Sequence, residues 1–246
     1  MDEKAFQLSI PGWYQELGPY TFETKFLKLR PEAVAALAQG AGGGEKISMD
    51  SEISRQVIAE LKLLMRTFSG NRFVSVDCCA PTDTERFMQK GGAVYSAKSA
   101  WFYLVQSEKV AAAAAAGMVE HICVRPFRRV SKAREFRLFI RDGKLVAMSQ
   151  YHLIRHFRRL EGVKERYWNN AVEFIEKISW QLPVKDLVMD IYITASNRIM
   201  IFDLNCWGEP TSPLLLNSWD RDWKQISRLH LILPPTPISG TVKVSF

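Results

Sequence analysis

Apolar residues change their spacing several times along the chain, and each change marks an element. Between residues 50 and 67, Ile53, Val57, Ile58, Leu61, Leu64 and Met65 recur at helical spacing. Residues 98–105 and the alanine run 110–116 are helical by propensity, with Gly117 as the stop. A short helix is expected over 31–38. A longer one over 163–180 places Tyr167, Ala171, Phe174, Ile175 and Ile178 on one face. Runs rich in Ile, Val, Tyr and Phe read as strands over 21–29, 73–76, 119–127, 135–141, 145–150, 187–194 and 198–207. Asp142 and Gly143 are hairpin residues, and Ala195, Ser196 and Asn197 have the turn chemistry to join the last two strands. Residues 6–14 read as aromatic and turn-rich, 80–83 as a turn entering a helix, and 39–45 as a flexible break. The tail beyond Leu216, with Trp219, Trp223, Pro234 and Pro235, is expected to wrap over the sheet. This order predicts an α+β chain whose C-terminal half holds a mostly antiparallel sheet.

The bulk numbers narrow the class. At 246 residues, the chain suits one large domain or two small lobes sharing a cleft. A hydrophobic content of 47% supports a sizeable core and argues against global disorder. The net charge of +7 permits a phosphate-bearing or acidic partner, and the basic residues concentrate between Arg125 and Arg166. Cys78, Cys79, Cys123 and Cys206 form no CxxC pair, which fits reduced thiols. The opening MDEKAFQL is not expected to be a signal peptide, and no run reaches a membrane span. A cytoplasmic monomer is the expectation.

The candidate chemistry lies in the last two strands. Asp203 and Asn205 are two residues apart and leave one face of a strand, and Asp190 joins them from its neighbour. Acids in strands this apolar are costly unless something pairs with them. Two carboxylates and an amide oxygen make an oxygen-only site of the kind Mg²⁺ takes alongside water and phosphate oxygens. The plain alternative is that these acids cap turns or pair with Arg125 and Arg137. Glu135 and Arg137 share a face opposite Phe136. Arg125, Arg137 and Gln150 are expected to converge on the same cleft, where guanidinium forks suit phosphate. A triphosphate is the economical ligand.

Other motifs are weaker. There is no GxxxxGK[ST] loop and no GxGxxG. His152 and His156 have i,i+4 spacing but no third metal ligand nearby, so they read as basic surface. Arg155, Arg158 and Arg159, interleaved with Tyr151 and Phe157, are compatible with RNA but read first as a solvated face.

EFRLFIRDGKLVAMSQ, then MDIYI, then IFDLNCWGEPTSPLLLNSW resembles the cell division cycle protein 123 family, a divergent ATP-grasp branch. IPGWY, ETKFLKL, CCAP with TD, and VRPF resemble its earlier motifs. The resemblance implies an ATP-grasp fold, with an N-terminal lobe over 1–118 and a C-terminal nucleotide- and metal-binding lobe over 119–246. It implies Asp190, Asp203 and Asn205 as Mg²⁺-ATP ligands. Arg125, Arg137 and Gln150 would line the nucleotide pocket, with Glu135 as the acid of the Glu-Phe-Arg motif. It further implies an assembly chaperone that binds the gamma subunit of translation initiation factor 2. An ATP-dependent carboxylate-amine ligase or a non-catalytic nucleotide-binding scaffold are the alternatives. The chain departs from the pattern where a small-lobe lysine should face the phosphates: Ser75 stands there, with Lys90 or Lys98 as substitutes. Its QGAGGGE stands where eukaryotic members carry a long acidic insert.

Overall fold

The structure, a computed structural model, describes residues 2–40, 50–223 and 228–235. The chain opens on two helices, α1 (Glu3–Leu8) and α2 (Ile10–Leu17). Strand β1 (Lys25–Lys28) and helices α3 (Pro31–Gly40) and α4 (Glu52–Met65) follow. Next come β2 (Arg72–Val76), α5 (Glu85–Lys90), α6 (Ala97–Val105), α7 (Glu108–Ala115) and β3 (His121–Pro126). The second half runs β4 (Glu135–Arg141), β5 (Lys144–Gln150), α8 (Lys164–Ile178), β6 (Leu187–Ile193), β7 (Ile199–Cys206) and β8 (Leu229–His230).

Among the described residues the strands form two sheets. The first has the order β1-β3-β2 and is antiparallel throughout. The second has the order β7-β6-β4-β5-β8 and is antiparallel except where β8 lies parallel to β5. The α+β expectation and the antiparallel C-terminal sheet therefore hold. The line at 118/119 does not follow sheet membership, because β3 pairs with β1 and β2.

Each sheet has its own core. Val74, Val76, Ile122 and Val124 of the first sheet pack against Leu37, Val57, Leu61, Trp101 and Leu104 from α3, α4 and α6. The helical stripe read from α4 is the buried one, and the Trp101 indole N–H donates to Ser54 Oγ at 3.0 Å beneath it. Phe136, Leu138, Met189, Ile191 and Ile201 of the second sheet pack against Tyr167, Ala171, Ile175 and Ile178 of α8.

Residues 6–14 differ from their turn-rich reading. Ser9 both ends α1 and caps α2, accepting from Gly12 N at 3.3 Å and donating to Phe6 O at 2.7 Å. Pro11 sits in the first turn of α2, where its missing N–H costs nothing. Leu8, Ile10, Trp13 and Leu17 then join the core of the second sheet, together with Cys123 from the first. The N-terminal helices thus lie where the two halves meet.

The strand read over 21–29 shortens to β1. Of the break at 39–45, Gln39 and Gly40 end α3 and the rest lies outside the described residues. The tail does wrap over the sheet: Trp219 and Trp223 close on Phe139 at ring distances of 5.7 and 5.4 Å, and Leu216 joins them over Ala147 and Val188.

Candidate functional site

One face of the second sheet is packed by α8. On the other, register lines up Ser149, Arg137, Asp190 and Asp203 across β5, β4, β6 and β7. This row depends on a bulge. Near the 195–197 turn Ile193 faces Ile199 and Ile191 faces Ile201, a register that would set Asp190 opposite Phe202. Phe202 is left unpaired instead, so Asp190 meets Asp203 and the two carboxylates share a face. The extra residue also frees the Phe202 carbonyl, which accepts from Arg125 Nη1 at 3.1 Å.

Asp190 is largely committed. Arg137 donates to it through Nε at 2.7 Å and Nη2 at 2.8 Å, a bidentate fork, and through Nη1 to Ser212 O at 2.8 Å. Asn205 Nδ2 donates to Asp190 Oδ2 at 3.2 Å, while its Oδ1 has no hydrogen bond among the described residues. The plain alternative of an acid paired with Arg137 is therefore what Asp190 adopts.

Asp203 differs. Its carboxylate accepts the Leu204 N–H at 3.0 Å and has no ion pair among the described residues. The residue is half-buried, and the protein atoms packed around its carboxylate strip much of its hydration. Burial, reinforced by the Asp190 charge, pushes its carboxyl up to about 7, against the pull of Arg125 and Arg137.

Arg125 reaches this place from the other sheet. It lies on β3, the strand expected over 119–127, where it is paired with Phe73 of β2. Its Nε donates to Thr24 Oγ1 at 3.0 Å, while Nη2 is buried with no partner. Burial lowers its affinity for its proton, and Asp203 is among the charges that restore it. Ser75, where a lysine was expected, lies beside Cys123 on the same sheet, buried, with its hydroxyl unpartnered. Lys90 and Lys98 sit on exposed positions of α5 and α6.

Gln150 requires a correction. The hairpin starts with Arg141 facing Lys144, which extrapolates to Gln150 facing Glu135 on the Arg137 face. A second bulge leaves Val146 unpaired, so Gln150 faces Phe136 on the opposite side. It is fully buried. Its Nε2 donates to His152 O at 2.6 Å and Arg155 O at 3.0 Å, and its Oε1 accepts from Ile232 N at 3.4 Å. Glu135 does share the Arg137 face, but its Oε2 bonds His152 Nε2 at 2.9 Å. His156 Nε2 bonds Glu161 Oε1 at 2.9 Å, and both histidines lie on a loop, not a helix.

Sequence reasoning missed two neighbours. Tyr151 lies beneath the Arg137 guanidinium at 5.3 Å, and its phenol is pushed up to about 12 by burial and then by Asp190. Continuing the alternation from Ser149 by two would have found it. Cys78 has its thiol held below the usual range by the adjacent Cys79, against burial and the Asp203 charge. Its signal was only an adjacent cysteine pair.

The donor set fits a hard cation used with phosphate. Among the described residues Asp203 Oδ2 and Asn205 Oδ1 carry no hydrogen bond, and Asp190 supplies negative charge it shares with Arg137. Among the described residues no three His, Cys, Asp or Glu are grouped to cage a metal ion, so protein ligands alone would not complete the shell.

Known proteins can now be set beside this geometry. The D123 family pattern matches residues 103–228. A Danio rerio relative named translation initiation factor eIF2 assembly protein is 28% identical over 100 residues, 40% of this chain and 28% of that one. A Candida glabrata relative named cell division cycle protein 123 is 31% identical over 111 residues, 44% of this chain and 30% of that one. The matched segment therefore spans less than a third of either relative. The solved structure of Cdc123 from Schizosaccharomyces pombe superposes with a TM-score of 0.76 at 17% identity, covering 89% of this chain and 91% of that one. That likeness is one of fold, and the expected α+β architecture is met in it. By its sequence pattern, the chain belongs to the D123 family, the family of cell division cycle protein 123.

Proposed function

We propose that this chain binds Mg²⁺-ATP between its two sheets and acts in the cytoplasm as an assembly chaperone for translation initiation factor 2, through the gamma subunit. The two sheets would be the two lobes of one nucleotide-binding unit. The observation that carries the binding claim is the nearness of Asp203 to Arg125, whose Nη1 bonds the adjoining Phe202 carbonyl: a carboxyl pushed up to about 7 lies near a buried guanidinium whose Nη2 has no partner among the described residues. One group calls for a cation and the other for an anion, and a metal-bound phosphate supplies both. Asp203 and Asn205 would hold the metal, with Asp190 adding charge and keeping Arg137 in place. Arg125 and Arg137 would take phosphate oxygens. When bound, Mg²⁺ offsets the phosphate charge. The relatives' names supply the partner in this reading.

Calorimetry tests the site. ATP should bind only with Mg²⁺, and Asp203→Ala should abolish that binding while the unfolding midpoint stays at or above wild type. Wild-type affinity in the variant would sink the site. Retention of the isolated gamma subunit should rise with Mg²⁺-ATP, and equal capture with and without nucleotide would defeat the ATP-dependent chaperone reading.

A further inference from the structure

Beyond β5 the chain builds a second concavity, independent of the nucleotide reading. Gln150 and Glu135 hold its floor. The Gln150 amide ties down the carbonyls of His152 and Arg155, and Glu135 bonds the His152 ring. Across from this loop, Arg159 Nη2 donates to Ser131 Oγ at 2.6 Å, joining it to the segment before β4. The cleft between them measures about 620 Å³ and is lined by Lys132, Arg155, Arg158 and Arg159, with Ile154 and Phe157 between.

No acidic side chain lines this cleft, and none of its four Lys and Arg side chains has a carboxylate partner among the described residues. Glu161, the acid of the next turn, is taken by His156. Like charges held around one concavity repel, and an anion that enters relieves all of them at once. All four are exposed, so such an anion can reach them.

The class of anion follows from the apolar residues. A single-stranded nucleic acid needs an open ring face on which to stack bases. The Phe157 ring is half-buried and already faced by the Arg155 guanidinium at 5.2 Å. Ile154, in contrast, is 62% exposed beside the arginines and offers an aliphatic contact. We infer that the cleft docks an acidic segment of a partner protein, with Asp or Glu side chains on the arginines and one apolar side chain against Ile154.

Fluorescence anisotropy with a labelled peptide of repeating Glu-Glu-Leu-Asp tests this, beside its Gln/Asn analogue and a labelled oligouridylate. The acidic peptide should bind wild type and the neutral analogue should not. The double variant Arg155→Glu/Arg158→Glu should weaken binding by about tenfold or more, as should Lys132→Glu on the opposite wall. The latter leaves the 151–159 loop untouched, so its loss does not report a collapsed loop. Thermal melts at the wild-type midpoint qualify the variants as folded. Failure of the acidic peptide to bind, unchanged affinity in both variants, or tighter binding of oligouridylate than of peptide would overturn the inference.

Discussion

Arg137→Ala should be among the most damaging single changes in the second sheet. Arg137 and Asp190 side chains are 8% and 12% exposed, and the fork between them is the shortest ion pair in the acidic row. Removing the guanidinium strips Asp190 of two charged donors and Ser212 O of one, leaving Asp190 with the longer Asn205 contact. Deleting one partner of a buried pair costs about 3–5 kcal/mol, because the other charge stays behind unpaired. For a chain of this size that lowers Tm by roughly 6–20 °C. Urea unfolding at neutral pH measures the loss. The double variant Arg137→Met/Asp190→Leu supplies the control: with both charges gone, stability should return most of the way to wild type. A loss under about 1 kcal/mol for Arg137→Ala at neutral pH is what a solvated surface pair gives. It would refute the view that Asp190 is held by Arg137.

In metal-free buffer, the Asp203 carboxyl holds its proton up to about 7 when folded but only to its ordinary 3.8 when unfolded. The stability it lends is therefore full below that lower value and lost as pH rises to 7, on the order of 2–4 kcal/mol. Asp203→Asn should flatten this decline and melt above wild type at pH near 8, and an unchanged slope in thermal melts would count against the raised carboxyl. Gly12→Ala should loosen the α1–α2 corner, because an added Cβ would strike the Phe6 carbonyl. A loss of about 1–3 kcal/mol in urea unfolding is expected. Gln150→Met should speed amide exchange over 151–159 while leaving Mg²⁺-ATP affinity within about twofold, and a larger affinity loss would return Gln150 to the nucleotide pocket.

What could be read in the sequence was whatever depends on one strand or one helix at a time. The α4 stripe, the α8 face, the Glu135–Arg137 alternation and the Asp203–Asn205 pair all follow from a single period. The pairing of β3 with β1 and β2 did not, because strand order is decided by cores that form across many residues. The N-terminal helices were hidden by Trp13, Tyr14 and Pro11, which look like turn and surface residues until Ser9 is seen to cap one helix and end another.

Two bulges show why the site itself was only partly legible. Each inserts one residue, and each reverses the face of everything beyond it. At Phe202 the insertion brings Asp203 onto the face of Asp190 and turns a carbonyl toward Arg125, so one local irregularity joins the acids to each other and to the opposite sheet. At Val146 the same operation removes Gln150 from the Arg137 face and hands its amide to the loop that carries the basic cleft. The ladder bonds given up at each bulge are offset by contacts a regular strand would not make. A regular hairpin through 198–207 would point Asp203 into the apolar packing under α8, where an unpaired carboxylate is untenable. The acid and the bulge therefore require each other. The acidic row is best explained as a built site, since packing alone would be served as well by an apolar residue at position 203.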